Sequence, residues 1–459
     1  MYIIKDYDKI VNTKDVKTVI DLPEEVNEII ESLKANGHSA YAVGGCVRDS
    51  LMQKAPHDWD ITTSALPEAT KAIFSNRKLV LNGLKHGTVG VIINHRNFEV
   101  TSFRTEGNYS DNRHPDSVTF VQSIKDDLSR RDFTVNAIAY SSDEGIVDPF
   151  FGAEDIKNKT IRCVGDAGKR FEEDALRILR AIRFASVLNF KIEKNTAEMI
   201  HEKKHLLKNV SAERIRAEIE KTLMGENVFD VLQEFDDVFF FIIPELEKTK
   251  NVAQNCVYHV YDVWEHICRS VEKSKKDRIV RLTMLLHDIG KPLVKTTDEN
   301  GVDHFKTHAL IGSKIAEEIL QRLKFDKNTV RSVTELVLHH DDRLYENIQN
   351  VPKYISRYGY DFLRKLDEVS RADIMAQNEM FLSRLKMCDD FINKLDECDK
   401  EDLCVTLAQL EVNGNDLKNI GLEGKEIGYA LNKMLEKVLS GELNNNKIAL
   451  LEFAKNLKD

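Results

Sequence analysis

The sequence predicts an α+β protein: a small mixed sheet near the start of the chain, followed by a mostly α-helical remainder. Three observations lead there. Between Tyr41 and Arg104, short apolar or alternating runs are separated by glycine-bearing turns, the pattern of strands in one sheet. Beyond about Glu154 the glycines and the β-branched alternation fade, and apolar residues recur at helical spacing. The chain has 459 residues, enough for about three domains.

Each element has its own signal. Pro23 to Asn36 carries apolar residues at helical spacing, and Gly37 stops the run. Residues 1–21 read as a leader strand or a poorly ordered arm. Tyr41 opens a buried strand that ends in Gly44-Gly45, and Pro67 starts a short helix. LVLNGLKHGTVGVII and FEVTSFR read as further strands of the same sheet, with a hairpin at HRN. Thr105 to Val118 is polar and rich in turn residues, a mobile loop of the kind that often serves a site. IKDDLSRRDFTVNAIAY reads as a helix bearing Arg130, Arg131 and Asp132, with a polar Asn136 in apolar surroundings. FEEDALRILRAIRFASVL reads as one helix, and SAERIRAEIEKTL as another with Ser211 as its N-cap. The tail, 380–459, is helical around a turn-rich insert at 413–428.

Composition bounds the function. Hydrophobic residues make up 42% and charged residues 31%, the balance of a soluble globular protein. No apolar run approaches a membrane span, and the opening MYIIKDYDKIV is charged within five residues, unlike a signal peptide. Seven scattered cysteines without a CxxC pair argue for a reducing cytoplasm and against a disulfide framework. The net charge of −10 disfavours nucleic acid as a partner of the whole surface. Six Lys/Arg between Arg162 and Arg183 nevertheless form a local basic patch.

The chemistry-bearing stretch is YAVGGCVRDSLMQKAPHDWDIT. Two glycines after a buried strand permit a tight turn close to a phosphate. Asp58 and Asp60, two apart, share one face of a strand, and such a carboxylate pair suits Mg²⁺. A phosphate turn leading to paired carboxylates is what metal-assisted phosphoryl or nucleotidyl transfer needs. Glu99 is a candidate third carboxylate, or equally an outward-facing strand glutamate. Asp174 and Arg177 form an i, i+3 pair, and Arg177, Arg180 and Arg183 continue the stripe. Taken alone the stripe reads as a solvated, salt-bridged face. Between His259 and His340 lie seven of the fourteen histidines. His287-Asp288 ends an apolar helical run, and with His266 on an earlier helix it suits a metal.

In this order the motifs GGCVRD, HDWDI, GLKHGTVGV, EVTSFRTEG, RRDFTVNA, DPFFG, EEDALRILRAIRFA and SAERIRAEI resemble the class II tRNA nucleotidyltransferase (CCA-adding) and bacterial poly(A) polymerase family, with an HD domain in the body. The resemblance implies a nucleotidyltransferase head at 22–150 and a helical neck with a nucleotide-selecting helix at 151–250. An HD metal-binding domain at 251–380 and a tRNA-contacting tail at 381–459 would follow. It implies that Asp58 and Asp60 hold Mg²⁺ while the 3′-hydroxyl of a tRNA acceptor end attacks the α-phosphate of CTP or ATP. Gly45 and Arg48 would hold the triphosphate, and Arg131 and Asp132 the sugar. Asp174 and Arg177 would act as a protein template for C or A, with Arg180 and Arg183 completing the pocket.

Three reactions fall in this family: CCA, A-only and CC-only addition. The loop RTEGNYSDNRHPDSV is absent from CC-adding forms, so its presence favours an enzyme able to add A. GLKHGTVGVII resembles the CCA-adding form more than poly(A) polymerases. Full CCA addition therefore ranks first, with A-only or poly(A) addition as the alternative. The HD body resembles metal-dependent phosphohydrolases at His266, His287, Asp288 and Asp373. His308 and His339 (or its neighbour His340) match the extra ligands of two-metal versions, with Ni, Mn, Co or Fe as candidate ions. That resemblance raises a second activity on phosphate esters, and a phosphohydrolase with an RNA-docking head as the reading of another class. A non-catalytic RNA-binding protein would leave Asp58 and Asp60 without a purpose.

Overall fold

The computed structural model describes residues 19–107, 117–401 and 403–457. Most of the 1–21 arm and the centre of the 104–118 loop lie outside the described residues. The chain divides into two compact units, Met1–Ile242 and Ile243–Asp459.

The first unit holds the sheet. Helix α1 (Glu24–Ala35) buries Val26, Ile29, Ile30 and Leu33, the i, i+3, i+4, i+7 set of one face. Seven strands follow in the spatial order β3-β4-β5-β2-β1-β8-β9. They are β1 (Ala40–Val43), β2 (Asp60–Thr63), β3 (Lys78–Val80), β4 (Thr88–Ile93), β5 (Arg96–Ser102), β8 (Ala139–Ser141) and β9 (Gly145–Val147). β2 and β5 run parallel and every other pair antiparallel, so the sheet is mixed. The hairpin falls at Asn94-His95, both at positive φ (48° and 63°), as a two-residue turn matched to strand twist requires. β6 (Arg104–Glu106) and β7 (Val118–Phe120) pair at the base of the polar loop. Helices α2 (Gly45–Leu51) and α3 (Pro67–Ile73) link the strands.

Two sequence expectations need correction here. The RRD segment is not one helix. Helix α4 (Ile124–Ser129) ends before it, Arg130 is its C-cap, and Arg131-Asp132 lead into a turn of 3₁₀ helix at Thr134–Asn136. The long helix through Asp174 is likewise broken. After α5 (Gly152–Lys157), α6 (Ala167–Glu173) stops at Asp174, whose backbone is extended (φ −135°, ψ 104°). Its carboxylate accepts from Leu176 N–H at 3.0 Å, at the start of α7 (Leu176–Leu188). Asp, which competes for backbone partners, favours such a break over helix interior. Helices α8 (Lys194–Lys203) and α9 (Ala212–Leu223) complete the motif-bearing part of the unit. Ser211 occupies the N-cap of α9 but makes no capping bond from its side chain.

The second unit is almost wholly helical. Its C-terminal part has a core of its own, with Leu417, Ala430, Met434, Leu450 and Ala454 fully buried. Among the described residues no helix is long and apolar enough to cross a membrane.

Candidate active site

Asp60 pairs in register with Val43, the residue before the Gly44-Gly45 turn. Only Asp60 belongs to β2; Asp58 precedes it, so the strand argument holds for one of the two. Alternation survives nonetheless: Trp59 is buried between two exposed aspartates. Asp60 lies in register with Glu99 on the parallel neighbour β5. Protein atoms crowding the otherwise open Asp60 carboxyl push its pKa above the usual range; Arg131 opposes this, while Glu99 and Asp58 add to it. Neither Asp58 nor Asp60 makes a side-chain hydrogen bond or salt bridge among the described residues. Clustered acids whose oxygens form no salt bridge among the described residues fit a hard divalent ion.

The turn itself needs glycine. Gly44 has φ 83° and ψ −129°, and a Cβ there would stand 3.0 Å from Nη1 of Arg131. Its N–H donates to Ile138 O at 3.0 Å, tying the end of β1 toward β8. Gly45 then opens α2, which carries Arg48.

From Arg48 a chain of polar contacts runs across the unit. Its Nε and Nη2 donate to Asp49 at 2.9 and 2.7 Å, and Nη1 donates to Asn136 Oδ1 at 2.6 Å. Asn136 Nδ2 donates to Asp132 at 3.2 Å, which accounts for a polar residue among apolar ones. Arg180 Nε and Nη2 both reach Asp132 Oδ2, at 2.8 and 2.6 Å. Burial would raise the Asp132 carboxyl, but Arg180, Asn136 and Arg177 together bring it down to about 2. Arg131 lies 3.7 Å from the buried Asp127, and burial lowers its pKa.

The arginine stripe is therefore not a solvated face. Arg177 is buried and donates to Glu173 at 2.5 Å and to the carbonyls of Arg170 and Arg130. Its backbone N–H donates to Asp174 O at 2.9 Å, while the Asp174 carboxylate takes Arg214 at 3.0 Å. Arg183 pairs with Glu218 at 2.6 Å. Arg214 and Glu218 lie one turn apart on α9, a spacing that was legible in SAERIRAEI but assigned to nothing.

The second unit assembles the histidines. His266 lies on helix Val263–Lys273, and His287-Asp288 follow helix Arg278–Leu286. His308 opens helix His308–Arg322, His340 follows Lys327–His339, and Asp373 lies on Tyr360–Met375. The Nδ1 atoms of His266, His287, His308 and His340 each face a backbone carbonyl, of Ala376, Met284, Phe305 and Val337, at 2.7 to 3.3 Å. This places the ring proton on Nδ1 and leaves the Nε2 lone pair inward. The Nε2 atoms then face one another in pairs, 3.2 Å for His266–His287 and 3.0 Å for His308–His340. Asp288, 1% exposed, lies between the pairs, with Oδ2 3.3 Å from His287 and Oδ1 3.5 Å from His308. Neither oxygen is satisfied by a hydrogen bond, although Lys291 Nζ stands 2.6 Å from Oδ2. Asp373 adds an oxygen 2.9 Å from His266 Nε2. Opposed lone pairs around a buried carboxylate suit a metal, which His266, His287 and Asp288, or Asp288, His308 and His340, would hold. A cavity of about 670 Å³ opens beside them, lined among others by Lys291 and Arg343.

His339 is not in this group. It hydrogen-bonds Asp342 at 2.6 Å and packs on Tyr358 and Phe362. Adjacent helical residues point about 100° apart, so only one of the pair can face inward, and it is His340.

A mixed sheet with clustered carboxylates opposite a shell of arginines defines a nucleotidyltransferase. Residues 40–162 match the Poly A polymerase head domain family. Residues 189–249 match the probable RNA and SrmB-binding site of polymerase A, and 299–454 match tRNA nucleotidyltransferase domain 2 (putative). A CCA-adding enzyme of Lactobacillus helveticus is 34% identical over 434 residues, 94% of this chain and 96% of that one. One from Ligilactobacillus salivarius is 32% identical over 96% of this chain and 98% of that one. The crystal structure of the Bacillus stearothermophilus CCA-adding enzyme in complex with CTP superposes with a TM-score of 0.71 at 30% identity, covering 95% of this chain and 97% of that one. The chain belongs to the CCA-adding enzyme family.

Proposed function

We propose that this enzyme adds C, C and then A to the 3′ end of tRNA, from CTP and ATP, with release of pyrophosphate and no nucleic-acid template. The observation that carries the mechanism is the carboxylate cluster of Asp58, Asp60 and Glu99 beside Arg131. Asp58 and Asp60 would hold Mg²⁺, which lowers the charge on the triphosphate and favours ionisation of the primer 3′-hydroxyl. Arg48 and the turn at Gly45 receive the triphosphate, with Arg180 and Arg183 completing the pocket. Arg131 and Asp132 meet the ribose. Asp174, steadied by Arg214, and Arg177 present the edge that admits C or A. We assign the head to 22–150, the neck to 151–250, the histidine-rich body to 251–380 and the tRNA-contacting tail to 381–459, and place the enzyme in the cytoplasm.

The test uses tRNA ending before C, after C and after CC, with labelled CTP and ATP. Native enzyme should complete each end, whereas Asp60→Ala should incorporate nothing while still binding tRNA. Incorporation by that variant would remove the carboxylates from the mechanism. Extension of the CC primer alone would reduce the activity to A addition.

The histidine cluster supports a second reading, a phosphohydrolase centre on His266, His287, Asp288, Asp373, His308 and His340. A nitrogen-rich set favours a transition metal over Mg²⁺. Metal analysis of the purified protein, with a panel of phosphomonoesters and 2′,3′-cyclic phosphates, decides it. Hydrolysis that disappears in His287→Ala supports the reading, and inactivity with Mn, Ni, Co and Fe removes it.

A further inference from the structure

Three arginines assigned above to the nucleotide converge on one side chain that has no role in that assignment. Phe184, on α7, is 8% exposed. The guanidinium of Arg183 lies 4.0 Å from its ring centre, that of Arg48 5.3 Å, and that of Arg180 5.5 Å. The ring also meets Phe133 edge-on, centroids 5.7 Å apart at 78°. Phe133 follows Asp132, the acid that Arg180 grips. One ring thus touches α2, α7 and the turn after α4.

These neighbours are not those of an ordinary core phenylalanine. Three like charges gather around one ring, each paired with its own acid, Asp49, Asp132 or Glu218. The ring quadrupole attracts cations at this range. Its flat face also restricts the guanidinium planes, which Asp49 and Asn136 hold for Arg48, Asp132 for Arg180 and Glu218 for Arg183.

We infer that Phe184 is a positioning residue for the phosphate grip, holding Arg48, Arg180 and Arg183 in the arrangement that receives a nucleoside triphosphate of either base. The inference rests on the assignment of those arginines to the nucleotide. It concerns affinity for the triphosphate and leaves base choice with Asp174 and Arg177.

Leucine keeps an apolar side chain at this site and removes the quadrupole and the flat face. Steady-state kinetics with CTP and with ATP should show that Phe184→Leu raises KM about tenfold for both, the loss expected from weakened cation–π contacts. Its kcat should stay within about twofold, C before A should be kept, and Phe184→Tyr should restore native KM. A KM within about twofold of native in the leucine variant would overturn the inference, as would a rise confined to one nucleotide or an equal rise in the tyrosine variant. If thermal unfolding shows that the leucine variant does not fold, Phe184→Met carries the same comparison against Phe184→Tyr. Asp60→Ala is assayed in parallel. If it is inactive while Phe184→Leu is unchanged, only the role of Phe184 falls; if it is active, the reading of the site itself falls.

Discussion

The two metal-suited clusters of this protein solve the problem of like ligands in opposite ways. In the first unit the acids are exposed at a sheet edge: Asp58, Asp60 and Glu99 all reach solvent. Water screens their repulsion, so the site tolerates an ion that comes and goes with its substrate. In the second unit His266, His287 and Asp288 are at most 1% exposed, and each histidine is fixed by a backbone carbonyl. There the histidines are oriented by the backbone before any ion arrives, and Lys291 is the one permanent cation beside Asp288. An open carboxylate pair suits an ion that exchanges with substrate, whereas a buried histidine cluster suits an ion held through the life of the fold.

The sharpest break of this comparison is substitution on each side. Asp60→Ala should lower CMP and AMP incorporation by about a thousandfold or more, in keeping with loss of a metal site that carries transition-state charge. Its thermal midpoint should not fall, because the change removes a repelling carboxylate. His287→Ala should behave in reverse. It should lose bound metal and unfold at a lower temperature, by about 3–5 kcal/mol in stability, since Asp288 loses a cation that compensates it. Chelation of the native protein should reproduce the His287→Ala shift, and metal return should reverse it. Equal thermal shifts in the two variants would erase the distinction.

A smaller effect separates the units by pH. Asp132 in the first unit is held at about 2, burial being outweighed by Arg180, Asn136 and Arg177. A depressed carboxyl contributes stability that is full above its unfolded value of about 4 and is lost as pH falls through about 2. Acid unfolding followed by circular dichroism should therefore show a loss of about 2 kcal/mol over that window. Asp132→Asn should flatten it, and an unchanged acid slope in the variant would show that the Arg180 pair is not the source.

What the sequence disclosed divides along the same line. The sheet, the hairpin at Asn94-His95 and the HD step at the end of a helix were legible, because each depends on local period or turn chemistry. Two breaks were not. The segments through Arg131-Asp132 and through Asp174 look helical by period; Leu176 N–H takes the Asp174 carboxylate locally, and Arg180 and Arg214 hold Asp132 and Asp174 from a distance. Arg214, Glu218 and Phe184 were missed for a related reason: their roles lie in what they touch across helices. The choice of His340 over His339 turned on helical phase set by packing, which adjacent identical residues cannot reveal.

Asp367 supplies the test of opposite sign in the second unit. It is 5% exposed, and its pKa is pushed up to about 6 by burial, against the pull of Arg371 at 2.6 Å. Its Oδ1 has no hydrogen-bond partner. One salt bridge does not fully repay the desolvation of this carboxylate, so folding shifts it toward the protonated form. A raised carboxyl contributes stability that is full below its unfolded value of about 4 and is lost as pH rises through about 6. Where Asp132 weakens the fold on acidification, Asp367 weakens it on neutralisation. Asp367→Asn should raise the thermal midpoint at pH 7.5 by a few degrees, on the order of 1–2 kcal/mol, and change nothing near pH 4. The asparagine keeps an oxygen for Arg371 while shedding the buried charge. Destabilisation at neutral pH instead would mean that the charged Arg371 pair outweighs its burial.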